Sequence, residues 1–95
     1  MFGRISSPAD DTRNAGGSSG GEAALIGAGL SVVGIGSDIG GSNRVPASAC
    51  GIVGFRPSSH RFPTGAPVRR GGAPGASLTS WGPLARSVED IEVVM

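Results

Sequence analysis

Two runs of small residues, each carrying serine, are the part of this sequence best suited to chemistry. The first is Gly16–Gly21 (GGSSGG) and the second is Asp38–Ser42 (DIGGS). Acyl transfer needs a nucleophilic oxygen, a proton relay and fixed N–H groups that stabilise an oxyanion. Gly40 and Gly41 can turn their N–H groups inward because neither carries a Cβ. The paired runs therefore predict an acyl-transfer site built from two loops.

These runs belong to a longer stretch, residues 16–57, that closely resembles the signature of the amidase signature family. The stretch reads GGSSGGEAALIGAGLSVVGIGSDIGGSNRVPASACGIVGFRP. Ser42 lies 24 residues after Ser18, the separation that the family keeps between its two catalytic serines. The segment Trp81–Asp90 also resembles the family's sequence after the nucleophile. The resemblance implies an α/β fold, here a fragment of a mixed-sheet core with flanking helices, and hydrolysis of a carboxamide C–N bond.

The resemblance also implies a role for each serine. Ser42 matches the family's nucleophile, and Ser18 matches the bridging serine that takes its proton, with a cis peptide bond between Gly17 and Ser18. Ser19 matches a hydrogen-bonding neighbour of the bridging serine. In the family, a lysine then deprotonates the bridging serine. Such a reaction uses no metal or organic cofactor, and the implied partner is a small-molecule amide.

The loop of Ser42 supplies the implied oxyanion hole. Its donors are backbone N–H groups, those of Ile39, Gly40, Gly41 and Ser42. Asp38 and Arg44 bracket the loop, and we expect them to form an ion pair or charge-assisted hydrogen bonds that fix its shape. Both residues are predicted to support the site rather than to react.

The chain lacks the base that this mechanism needs. All eight of its cationic residues are arginines, so it contains no lysine. The family carries its lysine on an earlier segment, in a domain several times longer than 95 residues. The resemblance therefore implies that residues 1–95 are the central portion of an amidase signature domain, without the lysine-bearing segment. We expect the isolated chain to be inactive and marginally folded, and we count the rest of the domain among its candidate partners.

Composition narrows the function classes. A net charge of +1 argues against a nucleic-acid-binding domain, which usually concentrates many cations on one face. The basic cluster of Arg69–Arg70, with Arg56 and Arg61, is interpreted as a solvated loop. The single cysteine, Cys50, cannot form an internal disulfide and is predicted to be a small buried side chain. Neither a secretory signal nor a membrane span is recognisable, so we expect a cytoplasmic location.

Hydrophobic and capping patterns predict the elements that position the two loops. A helix is predicted to begin at Ser19 or Gly20, with Ser19 as N-cap and Glu22 completing a capping box, and to end at Gly27–Gly29. The apolar run Val32–Gly36 predicts a strand, buried on both faces, that leads into the second serine loop.

The rest of the chain is predicted to alternate short elements with long loops. A helix is predicted over Arg44–Ala49, a strand over Gly51–Phe55 and a second helix that begins after Ser87 as its N-cap. Met1–Ala15 is predicted to be an irregular loop and Ser58–Ser80 a long surface excursion, because turn-forming residues dominate both.

Two other interpretations of the serine loops are kept. The run GSSGG at Gly17–Gly21 also fits G-x-S-x-G, the nucleophile elbow of serine esterases, with His60 and Asp90 available for a triad. That elbow must follow a strand, which the first fifteen residues do not predict. The absence of lysine favours, for the isolated chain, a noncatalytic remnant or a piece that depends on a partner. It also argues against a phosphate-binding loop, G-x-x-x-x-G-K.

Within the family, the residues GFRPSS at Gly54–Ser59 lean toward the general amidase and acetamidase branch rather than the branch of the transfer-RNA amidotransferases. Two residues depart from the family's pattern. Ala15 stands where proline is common, and Asn43 stands where an apolar residue is usual. Neither is expected to touch a catalytic atom.

Overall fold

A computed structural model describes residues 3–59, 61–62 and 78–95. In this part of the chain, the elements are β1 (Ser6–Ser7), β2 (Asp10–Asn14), α1 (Gly20–Gly27), β3 (Val33–Asp38), α2 (Arg44–Cys50), β4 (Val53–Gly54), β5 (Ser80–Ala85) and α3 (Val88–Val94). Strands β3, β5 and β4 form an antiparallel sheet in that order, and β1 pairs with β2 as a separate antiparallel hairpin. The mixture of helices and strands confirms the α/β prediction.

The hairpin β1–β2 shows that the prediction of an irregular loop over residues 1–15 is wrong. Its second strand is exposed along its whole length, so no alternation of apolar and polar residues marks it in the sequence. Local hydrogen bonds hold it instead. Asp10 Oδ1 accepts from the backbone N–H of Thr12 at 3.0 Å and from the Thr12 hydroxyl at 2.6 Å.

Helix α1 confirms the helix predicted after the first serine loop, including its end at Gly27. It contacts β3 and β5. Ala23 and Ile26 of the helix are fully buried in a cluster with Leu84 of β5 and Cys50 of α2. The core that positions the serine loops is therefore built largely from small side chains.

Strand β3 is buried on one face only, which corrects the prediction of a strand covered on both. Buried and exposed residues alternate along it, with Val33 37% and Ile35 47% exposed. The buried positions are Gly34, Gly36 and Asp38. A Cβ on Gly36 would collide with the side chains of Asn43 and Ser19. Glycine at this position lets the serine loops pack directly on the strand, while in the described residues the opposite face stays open.

Helix α2 is confirmed, whereas β4 is shorter than the predicted strand over Gly51–Phe55. Helix α2 ends where Gly51 adopts a φ of 69°, a left-handed conformation that glycine reaches without strain. That conformation takes Gly51 out of the strand. Phe55 still lies beside the sheet, because its N–H donates to the Pro83 carbonyl at 3.0 Å.

The sequence does not predict β5, although it is the central strand of the sheet. It carries Gly82 and Pro83, and a proline inside a run argues against a central strand because it cannot donate to the ladder. Pro83 pairs in register with Ile35 of β3. Most of the predicted surface excursion, residues 63–77, lies outside the described residues, as does His60.

Helix α3 begins as predicted. Ser87 is its N-cap, and the Ser87 hydroxyl oxygen accepts a hydrogen bond from the backbone N–H of Asp90 at 3.1 Å. The helix lies against β5. None of the helices in the described residues has the length and apolar character needed to cross a bilayer.

Candidate active site

The loop after β3 is organised around one buried carboxylate, that of Asp38. Its side chain has no solvent exposure. Asp38 Oδ1 accepts the N–H of Gly41 at 2.7 Å, and Oδ2 accepts the N–H groups of Asn43 at 3.2 Å and Arg44 at 3.4 Å. The chain therefore wraps around the carboxylate, and this folding sets the path of the backbone through Ser42.

Two arginines neutralise this carboxylate. Arg44 binds it in a two-point contact, with Nε 3.0 Å from Oδ2 and a terminal nitrogen 3.0 Å from Oδ1. Arg56 lies farther away, with Nε 3.6 Å from Oδ1, and donates to the Asp38 carbonyl at 3.3 Å. The ion pair expected between Asp38 and Arg44 thus forms. Arg56 is an anchor of the same loop, which corrects its assignment to a solvated basic cluster; Arg69–Arg70 lies outside the described residues.

The charge on Asp38 is stabilised strongly. Hydrogen bonds from the Arg44 guanidinium are the main reason that the pKa of Asp38 is held well below its usual range. Burial of the carboxyl acts in the opposite direction, and the N–H groups of Gly41, Asn43 and Arg44 add to the lowering. The same pairing raises the pKa of Arg44. Asp38 is therefore a carboxylate at neutral pH, with its oxygens occupied by structural donors.

The first serine loop runs from β2 into α1. Gly16 takes a φ of 75°, its N–H donates to Asn14 Oδ1 at 2.8 Å, and the peptide bond between Gly17 and Ser18 is cis. This is the bond that the family resemblance implies to be cis. Ser18 is exposed on this loop, just before the start of α1.

Ser19 joins the two serine loops. Its backbone N–H donates to the Ser42 carbonyl at 3.1 Å, and its hydroxyl donates to Asn43 Oδ1 at 3.0 Å. Ser18 and Ser42 are thereby carried on loops that touch. Ser42 is half-buried and Ser18 exposed, so solvent reaches both residues. Their roles as nucleophile and bridging serine stay predictions.

The capping box predicted at the start of α1 is wrong. Ser19 occupies the N-cap position, but its side chain makes no capping hydrogen bond, and its φ of −85° and ψ of 30° lie outside the extended region typical of that position. The hydroxyl has another acceptor, Asn43 Oδ1. The Ser19 hydroxyl therefore bonds to the second serine loop instead of capping α1.

The four predicted oxyanion donors have different surroundings. The Gly41 N–H already donates to Asp38, and Gly41 is buried. Ile39 and Gly40 are exposed at the turn of the loop, and Ser42 is half-buried. A Cβ on Gly40 would meet nothing within 4 Å, whereas one on Gly41 would meet Val45 at 3.0 Å and would sit at a φ of 121°. Glycine at position 41 is therefore required by backbone conformation, and the oxyanion role of the four residues stays a prediction.

Asn43 is the site residue whose contact the sequence does not predict. The sequence marks it only as a departure from the family's pattern that is not expected to touch a catalytic atom. The side chain is fully buried, and its amide nitrogen donates to the carbonyls of Gly36 and Gly82, each at 3.0 Å. The only sequence signal is that a polar residue stands where the family usually has an apolar one, directly after Ser42.

The esterase alternative gains no support from the described residues. Strand β2 ends at Asn14, belongs to the exposed hairpin and does not run directly into Ser19, as a nucleophile elbow requires. The Asp90 carboxylate accepts the Ser87 hydroxyl at 2.9 Å as part of the cap of α3. His60, the third member of that triad, lies outside the described residues.

An open cleft of about 830 Å³ lies between the hairpin and α2. Its lining includes Arg4, Arg13, Arg44 and Ser48, together with Gly40 and Gly41. Neither Ser18 nor Ser42 lines it. The cleft therefore adjoins the loop of Ser42 without including Ser42 itself, and it is not proposed as the substrate-binding site.

Comparison with known proteins identifies the family of this chain. The sequence profile of the family described as Amidase matches residues 1–95. The chain therefore belongs to the amidase signature family. It is 50% identical over 91 residues to a glutamyl-tRNA(Gln) amidotransferase subunit from Campylobacter fetus, and 50% identical over 94 residues to fatty acid amide hydrolase 1 of Caenorhabditis elegans. These alignments cover 95% and 94% of the chain.

Solved structures share the fold. A bacterial aryl acylamidase of the amidase signature family superposes with a TM-score of 0.79 at 39% identity over 96% of the chain. The chain spans 19% and 16% of the two sequence relatives and 18% of the acylamidase. Amidotransferases and amide hydrolases occur among these relatives at equal identity, so the lean toward general amidases stays a prediction.

Proposed function

We propose that this chain supplies the two serine loops of an amidase, an enzyme that hydrolyses a carboxamide C–N bond to an acid and ammonia or an amine. One observation carries the proposal: the hydrogen bond of 3.1 Å from the Ser19 N–H to the Ser42 carbonyl, which brings the two loops of the family signature together. Membership of the amidase signature family supports it.

In this proposal Ser42 attacks the amide carbonyl and becomes acylated. As Ser18 accepts the proton of Ser42, it gives its own hydroxyl proton to a base. The same relay returns a proton to the leaving amine, after which water releases the acid. Backbone N–H groups at Ile39, Gly40 and Ser42 face the oxyanion. Gly41 is the weakest member of the predicted oxyanion hole, because its N–H already donates to Asp38 at 2.7 Å. Asp38 and Arg44 hold the loop in shape.

The proton taken by Ser18 must leave through a base that is not in this sequence. The family's base is a lysine, and the 95 residues contain none. We therefore propose that residues 1–95 are the central portion of an amidase domain, and that a lysine from outside them completes the site. The chain's coverage of 16% to 19% of its relatives supports this view.

The partners follow from the same proposal. The substrate is a small-molecule amide, and the protein partner is the remainder of the amidase domain. A net charge of +1 speaks against a nucleic-acid partner. A cytoplasmic location is part of the proposal, because the single cysteine, Cys50, cannot form an internal disulfide.

A fluorophosphonate probe, which reacts covalently with activated serines, tests the nucleophile in the protein at its full encoded length. Ser42→Ala is expected to abolish labelling, because the reacting oxygen is removed. Ser48→Ala, at an exposed serine of α2, is the matched control and should label like the wild type. Full labelling of Ser42→Ala would contradict the assignment.

Amide hydrolysis tests the missing base. Residues 1–95 alone are expected to be inactive, because general-base assistance is worth about 100- to 10,000-fold in rate. The alternative of a noncatalytic remnant, which the absence of lysine favours for the isolated chain, predicts instead that residues 1–95 neither hydrolyse amides nor take the probe even when the rest of an amidase domain is supplied. Hydrolysis by residues 1–95 that is lost in Ser42→Ala would show that no outside base is needed.

A further inference from the structure

We propose that Asn43 is a positioning residue of the serine site. Its side-chain amide holds Ser19, and with it the loop of Ser18, at a fixed distance from the loop of Ser42. The inference rests on the function proposed above, and it adds a residue to which that function assigns no role.

The amide of Asn43 is anchored on the sheet. The side chain is fully buried, and its nitrogen donates to the carbonyls of Gly36 in β3 and Gly82 in β5, each at 3.0 Å. Gly36 and Gly82 are register partners in the sheet. Both amide hydrogens are thus used on two neighbouring strands, which fixes the orientation of the amide and aims Oδ1 away from these carbonyls.

The remaining polar atom of the amide reaches the first serine loop. Asn43 Oδ1 accepts the hydroxyl of Ser19 at 3.0 Å, while the N–H of Ser19 donates to the carbonyl of Ser42 at 3.1 Å. Two hydrogen bonds therefore join one residue of the first loop to two consecutive residues of the second. Ser42 belongs to this closed ring and Ser18 adjoins it at Ser19, so the ring restricts their relative movement.

The sheet leaves room for this arrangement. A Cβ on Gly36 would collide with both Asn43 Oδ1 and the Ser19 hydroxyl. An apolar side chain of the size of asparagine would fill the same volume, but it would offer no acceptor to Ser19. The polar character of residue 43, rather than its size, is what links the two serine loops.

The expected effect follows from the geometry of proton transfer. A relay between two hydroxyls needs heavy-atom distances of about 2.6–3.2 Å, and a misplacement of about 1 Å costs on the order of 100-fold in rate. Loss of the link should therefore slow the chemical step at Ser42. It should leave binding of a small reagent largely unchanged, because Asn43 is buried and faces away from solvent.

The first measurement is the rate of fluorophosphonate labelling in the full-length protein, separated into the maximal rate constant and the half-saturating probe concentration. Asn43→Leu and Ser19→Ala are each expected to lower the maximal rate constant by about 10- to 100-fold, with little change in the half-saturating concentration. The double variant should be no slower than the slower single variant, because both changes break one link. Equal labelling rates in all variants, or additive losses, would overturn the proposal.

Ser7→Ala is the matched control. Ser7 is buried whereas Ser19 is half-buried, and the Ser7 hydroxyl donates to the Ala49 carbonyl at 2.7 Å, away from the serine loops. Its loss removes a buried hydrogen bond of the same kind, so a general loss of stability would appear here as well. The proposal predicts normal labelling for Ser7→Ala, and a loss equal to that of Ser19→Ala would contradict it. Ser19→Ala keeps the hydrogen bonds from Asn43 to the Gly36 and Gly82 carbonyls. If Asn43→Leu does not fold, the labelling rate of Ser19→Ala alone tests the proposal.

The second measurement does not depend on activity. In nuclear magnetic resonance spectra, the side-chain amide of Asn43 should exchange slowly with solvent, and Ser19→Ala should shift both that amide and the backbone amide of Ser42. Ser7→Ala should shift neither. A rapidly exchanging Asn43 amide would contradict the link itself. Wild-type protein that takes no probe would contradict the proposed function instead, and the spectra would then decide the link alone.

Discussion

Two aspartates of this chain accept hydrogen bonds from residues that follow them, in opposite surroundings. Asp10 lies in the exposed hairpin and accepts the N–H and hydroxyl of Thr12. Asp38 lies at the end of β3, fully buried, and accepts three backbone N–H groups and a guanidinium. The pKa of each is lowered, that of Asp10 chiefly by Thr12 and that of Asp38 chiefly by Arg44.

The hydrogen bonds of Asp10 and Asp38 differ in whether water can replace them when they break. Water can solvate Asp10 and Thr12 immediately, so the hairpin bonds are worth little in net free energy. Water cannot reach Asp38 without unfolding the loop around it, so each broken bond leaves a buried group without a partner. The loop of Ser42 is therefore held firmly by this chain itself, whereas the hairpin is held weakly.

Removal of each carboxylate is the strongest test of this comparison. Asp38→Ala is expected to lower the free energy of unfolding by about 2–4 kcal/mol, because the N–H groups of Gly41 and Asn43 lose their buried acceptor. Asp10→Ala should change stability little. Urea unfolding of both variants in the full-length protein checks this, and equal losses of unfolding free energy would contradict the distinction between the two regions.

A smaller effect is expected from one added methyl group on β3. Gly36→Ala should cost about 1–3 kcal/mol, because its Cβ collides with Asn43 and Ser19. Gly40→Ala is the control, because a Cβ there would meet nothing within 4 Å, so it should cost less than about 1 kcal/mol. Thermal unfolding compares the two, and the reverse order would contradict the packing described around the serine loops.

The pH dependence of stability separates the two aspartates further. The pKa of Asp38 is lower in the folded chain than in the unfolded one, so its contribution is fully present above about pH 4 and is lost as the pH falls through the lowered folded value. Asp38→Asn should therefore flatten the acid side of the stability profile, whereas Asp10→Asn should alter it little. The check is the free energy of unfolding measured at a series of pH values below neutral. An acid limb that Asp38→Asn leaves unchanged would show that another group causes it.

The elements that the sequence predicts correctly are those with local signals. The start of α3 follows from the N-cap at Ser87, and the start of α2 at Arg44 follows from Pro46 in its first turn. The hairpin is missed because polar strands carry no hydrophobic period, and β5 is missed because Pro83 argues against a central strand.

The sequence predicts those contacts of the candidate site that follow from the charges of residues close together in the chain. The pairing of Asp38 with Arg44 needs only opposite charges that bracket a short loop. The capping box at Ser19 fails, and the contact of Asn43 is missed, because both depend on a hydrogen bond between residues 24 positions apart. Such a contact is decided by how the loops pack on β3, which no local pattern describes.

The most direct test of the claim that Asp38 fixes the loop of Ser42 compares the hydrogen-exchange rates of two backbone amides. Both donate to an aspartate Oδ1, that of Gly41 to buried Asp38 at 2.7 Å and that of Thr12 to exposed Asp10 at 3.0 Å. We expect the Gly41 amide to exchange at least about 100-fold more slowly than the Thr12 amide, after correction for intrinsic rates, because it opens only when the buried carboxylate is exposed. Equal protection of the two amides would contradict the claim that Asp38 fixes the loop of Ser42.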